Sequence, residues 1–321
     1  MKQRKAAGKP RDNGRRAARG ESSASALLTG TVVAAHGAHV WAEDGDGVQH
    51  LCGNRPREER PVCGDRVNWQ VTGHRRGKIH SILPRRSELR RPESRKGYRV
   101  LAANIDLMLV IAAPKPPPDP FLIDRYLVAA HLLGLDAAVI MNKRDLIDAG
   151  NPTATDALLE EYRDLGYTTA SCSAHEDGGT AGILKALDGR VGILVGQSGV
   201  GKSSLLANLI PDADIRTGEL SAASGEGKHT TTTATLYHLP GGGDIIDSPG
   251  VRDFKLWDMP PGEVAHGFAE FPSLPPCHFR DCTHREEPGC EVLAALERGE
   301  VTPRRYKSYR IMLAQMERMA G

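Results

Sequence analysis

The stretch GQSGVGKSS at 196–204 has the spacing of a phosphate-binding loop, and it stands after the tetrapeptide NKRD at 142–145 instead of before it. Such a loop works only between a buried strand and a helix N-terminus, because its backbone N–H groups must converge on a phosphate. The flanks meet that demand: the apolar run VGILV precedes it, and SSLLANLI follows with the character of a helix start. A parallel α/β sheet therefore has to be built around this point. Gly196, Gly199 and Gly201 let the backbone wrap a β-phosphate, Lys202 can reach the β and γ oxygens, and Ser203 offers a hydroxyl to Mg²⁺. Gln197, Ser198, Val200 and Ser204 complete the expected nucleotide-binding set.

NKRD closes the apolar run AAVIM, where a base reader is expected. A carboxylate at Asp145 can accept from both the N1–H and the exocyclic amine of guanine, whereas adenine has no matching pair of donors. The expected nucleotide is GTP, with Lys143 along the base and Asn142 bracing the loops. SCSA at 171–174 is expected to supply the second base loop, where the Ala174 N–H can meet the guanine O6 and Ser173 counts among the nucleotide-binding residues. DSPG at 247–250 follows another apolar strand, which places Asp247 to hold Mg²⁺, usually through water, and Gly250 to meet the γ-phosphate. Between these lies the polar stretch SGEGKHTTTT, suited to a switch; one of Thr230, Thr231, Thr232 and Thr233 is expected to ligate the metal. Every GTPase element is present in a rotated order, which is a circular permutation. Joining nearby termini while opening a surface loop leaves the sheet's neighbours unchanged. One consequence is that the chain runs from DSPG directly into its C-terminal part, so nucleotide state is expected to pull on it.

Ahead of the α/β pattern, residues 26–83 read as five short strands separated by turns, the pattern of a small barrel such as the OB-fold. A basic stretch follows, from His74 to Arg99, carrying Arg75, Arg76, Lys78, Arg85, Arg86, Arg90, Arg91, Arg95, Lys96 and Arg99 against Glu88 and Glu93. That charge fits a nucleic-acid backbone, the alternative being a solvated linker. Residues 1–20 are basic and almost free of large apolar side chains, and so are expected to be a disordered tail. A nucleic-acid-binding arm, a tail without a specific role and a transit peptide are the alternatives there. No run of about 18 apolar residues exists, and the start lacks a signal peptide's apolar segment, so a cytoplasmic protein without membrane contact is expected.

Six cysteines fit a metal site and buried thiols better than a disulfide framework. CHFRDCTHREEPGC brings together Cys277, Cys282, His284 and Cys290, a closed set of three thiolates and one imidazole that suits a single structural Zn²⁺. His278 is a rival ligand, made awkward by its adjacency to Cys277. Cys52, Cys63 and Cys172 are expected to be plain buried thiols, and Tyr309, Met312, Met316 and Met319 to be the packing stripe of a C-terminal helix. Val251 occupies the place where Ras-like enzymes carry a water-orienting glutamine, which leaves His229 as the nearest candidate within this chain.

A barrel, a permuted GTPase and a CCHC cluster in this order closely resemble the RsgA family of small ribosomal subunit biogenesis GTPases. The resemblance covers residues 26–321 and rests on PVCGDRV, ILPRRSELRRP, NKRD, GQSGVGKSS, GKHTTTT, DSPGVRDF and the cysteine pattern. DSPG in place of the usual DTPG is a minor departure. The resemblance implies a late-acting factor in assembly of the 30S subunit that binds 16S rRNA and GTP or GDP, is stimulated by the subunit, and uses His229 for hydrolysis. The expected architecture is a disordered basic tail (1–25), an all-β OB-fold barrel (26–95), a circularly permuted α/β P-loop GTPase domain (96–258) and a small α-helical zinc-binding domain (259–321), acting as a monomer. A large-subunit permuted GTPase, an ATPase and a nucleotide-dependent RNA-binding switch with little hydrolysis are the competing readings.

Overall fold

The computed structural model describes residues 26–36, 39–53, 59–93, 97–147, 154–176, 178–210, 234–248 and 260–320. His229, Thr230 to Thr233, Gly250, Val251 and the basic tail lie outside these residues.

The strand entering the phosphate loop, β11 (Val191–Gly196), runs through the middle of the α/β layer. On one side it pairs in parallel with β8 (Leu107–Ala112), which pairs in turn with β9 (Asp136–Met141) and then β10 (Thr168–Ser171). On the other side it pairs in parallel with β13 (Asp244–Asp247), followed by the antiparallel β12 (Thr235–His238). The half that precedes the phosphate loop in sequence thus lies on one flank and the half that follows on the other, the spatial form of the permutation.

β8 is buried along its whole length, and its side chains alternate between two cores. Met108, Val110 and Ala112 join the cluster that reaches the C-terminal helices, whereas Leu107, Leu109 and Ile111 join the one beneath the phosphate-loop helix. That is why its sequence is an unbroken apolar run: a strand covered on both faces has no solvent side. Helix α1 (Pro120–Leu132) starts at Asp119, whose carboxylate accepts from the N–H groups of Phe121 and Leu122, with proline pre-set for the first turn. Helices α2 (Ala154–Asp164) and α3 (Ala181–Ala186) and the phosphate-loop helix α4 (Lys202–Leu209) complete the covering.

The barrel consists of β1 (Leu28–His36), β2 (His39–Glu43), β3 (Gln49–Gly53), β4 (Arg66–Gly73) and β5 (Arg76–Ile82). Its strand order β1-β2-β3-β5-β4, closed by β4 pairing with β1 and with β3 and β5 parallel, is that of a five-stranded OB barrel. Trp69, Val32, Val40, Ala42, Cys52, Val67 and Ile79 fill its interior.

The basic stretch is not the plain connector its composition suggests. It contains a hairpin, β6 (Glu88–Glu93) with β7 (Gly97–Ala103), whose strands lie on either side of residues 95 and 96. The Arg85 side chain is only 6% exposed and is held by Asp65 at 2.6 Å, Glu59 at 2.5 Å and Glu88 at 3.0 Å. Arg86 pairs with Asp106. Part of the charge is therefore spent inside the protein, while Arg90 lies over the Tyr98 ring at 4.0 Å on the outside.

The C-terminal part carries α5 (Glu291–Arg298) and α6 (Pro303–Ala320). Tyr309, Met312 and Met316 are buried as their spacing implies, but Met319 is 53% exposed, because by then the helix has run past the surface it packs on. Cys52, Cys63 and Cys172 are buried free thiols.

Candidate guanine-nucleotide site and metal centre

The base-reader loop leaves β9 and the phosphate loop leaves β11, the two strands that flank β8, and the loops are fastened to each other. Asn142 is buried at the end of β9, and its Nδ2 donates to the Val200 carbonyl at 2.9 Å. Its other side-chain atom, Oδ1, lies 3.6 Å from the Cys172 sulfur, which ties in the second base loop. Lys143 donates through Nζ to the carbonyls of Gly199 at 2.7 Å and Lys115 at 2.9 Å. Gly201, with φ of 94°, sits so close that a Cβ there would stand 2.4 Å from the Asn142 amide nitrogen. Only glycine meets both demands, the left-handed backbone and the close approach.

Asp145 projects at the mouth of the site, where Ser173 donates to it at 2.6 Å. That hydrogen bond is the main reason its carboxyl is held below the ordinary range, so the group stays an ionised double acceptor. Ser173 is fully buried and also accepts from the N–H of His175 at 3.2 Å, so its hydroxyl is fixed in direction. Ser173, counted from the sequence among the nucleotide-binding residues, orients Asp145. Asn208 of α4 donates to the Ala174 carbonyl at 2.7 Å, joining the second base loop to the phosphate-loop helix, a contact no local pattern announces.

Lys202 folds back over its own loop, donating to the carbonyls of Gly196 at 2.6 Å and Gln197 at 2.8 Å. Ser198 and Gly199 are exposed at the loop's crown, and Ser203 and Ser204 are exposed at the start of α4. Asp247 ends β13, one strand over from the phosphate loop. The geometry can clamp a polyphosphate between backbone N–H groups and one ammonium, and can read a purine edge from Asp145. A cavity of about 620 Å³ lies elsewhere, among Leu127, His131, Leu135, Tyr167, Lys185 and Arg190. It opens at the ends of β9 and β10 where these strands begin, whereas open α/β sheets bind ligands beyond the carboxyl ends.

In the C-terminal part, the ligand atoms of Cys277, Cys282, His284 and Cys290 all lie within 4.8 Å of one another. The Cys277 sulfur is 3.5 Å from His284 Nδ1 and 4.0 Å from the Cys290 sulfur, and His284 Nδ1 is 3.4 Å from Cys290. Four ligands at about 2.0–2.3 Å from one ion stand roughly 3.5–3.8 Å apart in a tetrahedron, so the donors fit a metal ion. Burial pushes the Cys282 thiol up to about 12, a penalty that a cation's charge would offset. The Glu291 N–H, opening α5, donates to Cys277 at 3.3 Å. Tyr306 and Tyr309 of α6 donate to the carbonyls of His284 and Thr283, each at 2.8 Å, and so hold the ligand loop. His278 is not in the cluster; its ring packs edge-on to Phe279 and its N–H donates to Gly289.

The family model described as RsgA GTPase matches residues 82–257. A Pseudomonas aeruginosa protein named small ribosomal subunit biogenesis GTPase RsgA is 47% identical over 311 residues, covering 94% of this chain and 92% of that protein. Among solved structures, YjeQ from Thermotoga maritima superposes with a TM-score of 0.71 at 31% identity, covering 91% of this chain and 99% of that one. YloQ, titled a circularly permuted GTPase, gives a TM-score of 0.74 over 93% of this chain and 98% of its own; at 24% identity it speaks for the fold alone. With the match of the family model over more than half its length and a relative this similar along nearly all of both chains, the chain belongs to the RsgA GTPase family.

Proposed function

We propose that this protein hydrolyses GTP as a late-stage assembly factor of the small ribosomal subunit, binding 16S rRNA and releasing the subunit after hydrolysis. The observation that carries the nucleotide part is the fastening of Asn142 and Lys143 onto the phosphate loop, with Asp145 aimed by Ser173. The role in small-subunit biogenesis is the one named for its relatives. Asp145 selects guanine, the loop from Gly196 to Ser204 holds the phosphates, and Lys202 leaves its carbonyl partners to meet the β and γ oxygens. Ser203, Asp247 and one of Thr230 to Thr233 are the residues that would hold Mg²⁺, which supplies charge neutralisation at the phosphates. Gly250 offers its N–H to the γ-phosphate, and His229 orients the attacking water, since Val251 has no polar atom for that task. Cys277, Cys282, His284 and Cys290 hold one structural Zn²⁺. The protein acts as a monomer in the cytoplasm, and among the described residues no helix is long and apolar enough to cross a membrane.

The deciding experiment measures GTP turnover with and without purified 30S subunits, using ATP and 50S subunits as controls, for the natural protein and for His229→Ala. Stimulation by 30S alone, lost in His229→Ala with GTP binding retained, is expected. Val251 favours one rival, a nucleotide-dependent RNA-binding switch with little hydrolysis. Tight GTP binding without any 30S-dependent turnover would establish that rival instead.

A further inference from the structure

The barrel and the nucleotide domain share one sheet, and the seam between them runs along β12. This strand starts directly after the threonine stretch, and its hairpin partner β13 ends at Asp247, directly before SPG. One strand pair therefore carries both of the loops assigned to sensing the γ-phosphate. The barrel grips that pair at two places. Near the loop end, Ala34 of β1 pairs with Thr235. At the turn end, His238 donates through Nδ1 to Asp244 at 2.6 Å and through Nε2 to Glu43 of β2 at 2.7 Å.

The two grips belong to one register. Three residues on from Thr235 is His238, and three residues back from Ala34 is Thr31, whose own partner across β1 and β2 is Glu43. The imidazole thus reaches over β1 to the next strand of the barrel. Glu43 is itself held, since Gln49 donates to its other oxygen at 3.1 Å, and its side chain is only 11% exposed. The turn between β12 and β13 is equally confined: Gly243 adopts φ of 81°, and a Cβ there would stand 1.8 Å from the Leu187 carbonyl oxygen. Asp244 donates its N–H to Arg190 at 2.8 Å. The hairpin is thus pinned at its turn and paired with the barrel near its open end. With both ring nitrogens donating to carboxylates, His238 is a charged bridge, and these two acceptors raise its pKa to about 10.

We propose that His238 is a positioning residue that locks the barrel to the β12–β13 hairpin, so that engagement of the barrel and occupancy of the nucleotide site are energetically coupled. The proposal rests on the assignment of the threonine stretch and DSPG as nucleotide-sensing loops. Coupling of this kind is reciprocal, so it can be read from the nucleotide side without any partner.

The experiment is hydrogen exchange on the full-length protein loaded with GDP or with a non-hydrolysable GTP analogue, followed at residues 28–36 and 39–43. In the natural protein, amide protection there is expected to differ about fivefold between the two nucleotides. His238→Gln and Glu43→Gln are each expected to abolish that difference while leaving GDP affinity unchanged, and His238→Arg, which keeps the charge and two donors, restores it. Equal protection with both nucleotides in the natural protein overturns the proposal, as does a difference that survives in both glutamine variants. Turnover with 30S subunits, measured on the same samples, separates the two ideas. If 30S fails to stimulate while the exchange difference persists, the assembly role falls and the coupling stands.

Discussion

The guanidinium of Arg305 and the carboxylate of Asp124 are both fully buried and lie 2.7 Å apart, one on α6 of the C-terminal part and the other on α1 of the nucleotide domain. Arg305 also forks onto both oxygens of Glu270 at 2.7 Å, while Asp124 accepts from Tyr162 and Arg304, each at 2.8 Å. All three nitrogens of Arg305 and both oxygens of Asp124 have partners, which is what makes such burial tolerable, while Nη2 of Arg304 is buried without one among the described residues. The C-terminal part with the cysteine cluster is thereby docked on α1 and α2 as well as tethered in sequence after DSPG.

Removing one member leaves its partner charged and stranded. Arg305→Met is expected to lower unfolding stability by about 3–5 kcal/mol, whereas pairing it with Asp124→Leu should recover only part of the loss, since Glu270 still lacks its partner. Urea titrations of the single and double variants check this; additive losses would contradict it.

Asp145→Asn exchanges an acceptor for a donor and is expected to shift preference from guanine to xanthine nucleotides. Ser173→Ala keeps the carboxylate but frees its direction, so GDP affinity should fall by about 1 kcal/mol, several-fold, without a change in base preference. Competitive titration with GDP, XDP and ADP distinguishes the two effects. Unchanged base preference in Asp145→Asn would remove it from base recognition.

The Cys277, Cys282, His284 and Cys290 cluster should hold one equivalent of zinc by elemental analysis. Chelation is expected to loosen the loop that Tyr306 and Tyr309 hold and to lower helix content, with protons released when metal is restored. Cys282→Ser should bind zinc more weakly, and His278→Ala should not. Loss of zinc from His278→Ala would reassign the fourth ligand.

His238 has its folded-state pKa raised from 6.5 to about 10 by Asp244 and Glu43, so its bridge stabilises the fold fully below about pH 6.5 and fades as pH rises through 10. The urea midpoint of the natural protein should accordingly fall on the alkaline side more steeply than that of His238→Gln. Parallel profiles would show that the bridge contributes nothing to stability. Glu287 acts in the opposite sense. Hydrogen bonds from Thr283 and Arg285 depress its pKa, so its share is present above the usual carboxylate range and lost on acidification.

The phosphate loop, NKRD, DSPG and the cysteine cluster were legible in the sequence because each is a short segment whose chemistry depends on residues close along the chain. The apolar runs of β9, β11 and β13 were legible for a related reason: strands buried on both faces must be continuous. β10 and β12 were not, being four-residue strands beside polar segments whose pairing comes from distant neighbours. Nor could composition separate Arg85, which is turned inward to Asp65, from the exposed arginines of the same stretch. That Ser173 aims Asp145, that Asn208 holds the second base loop, that Arg305 meets Asp124 and that His238 bridges a strand of the barrel and a strand of the nucleotide domain follow only from the tertiary structure. The sequence by itself determined which chemistry the chain carries, because motifs specify ligands locally. Only the folded arrangement decided which parts constrain one another, because those contacts join residues far apart in the chain that are brought together by burial of the shared core.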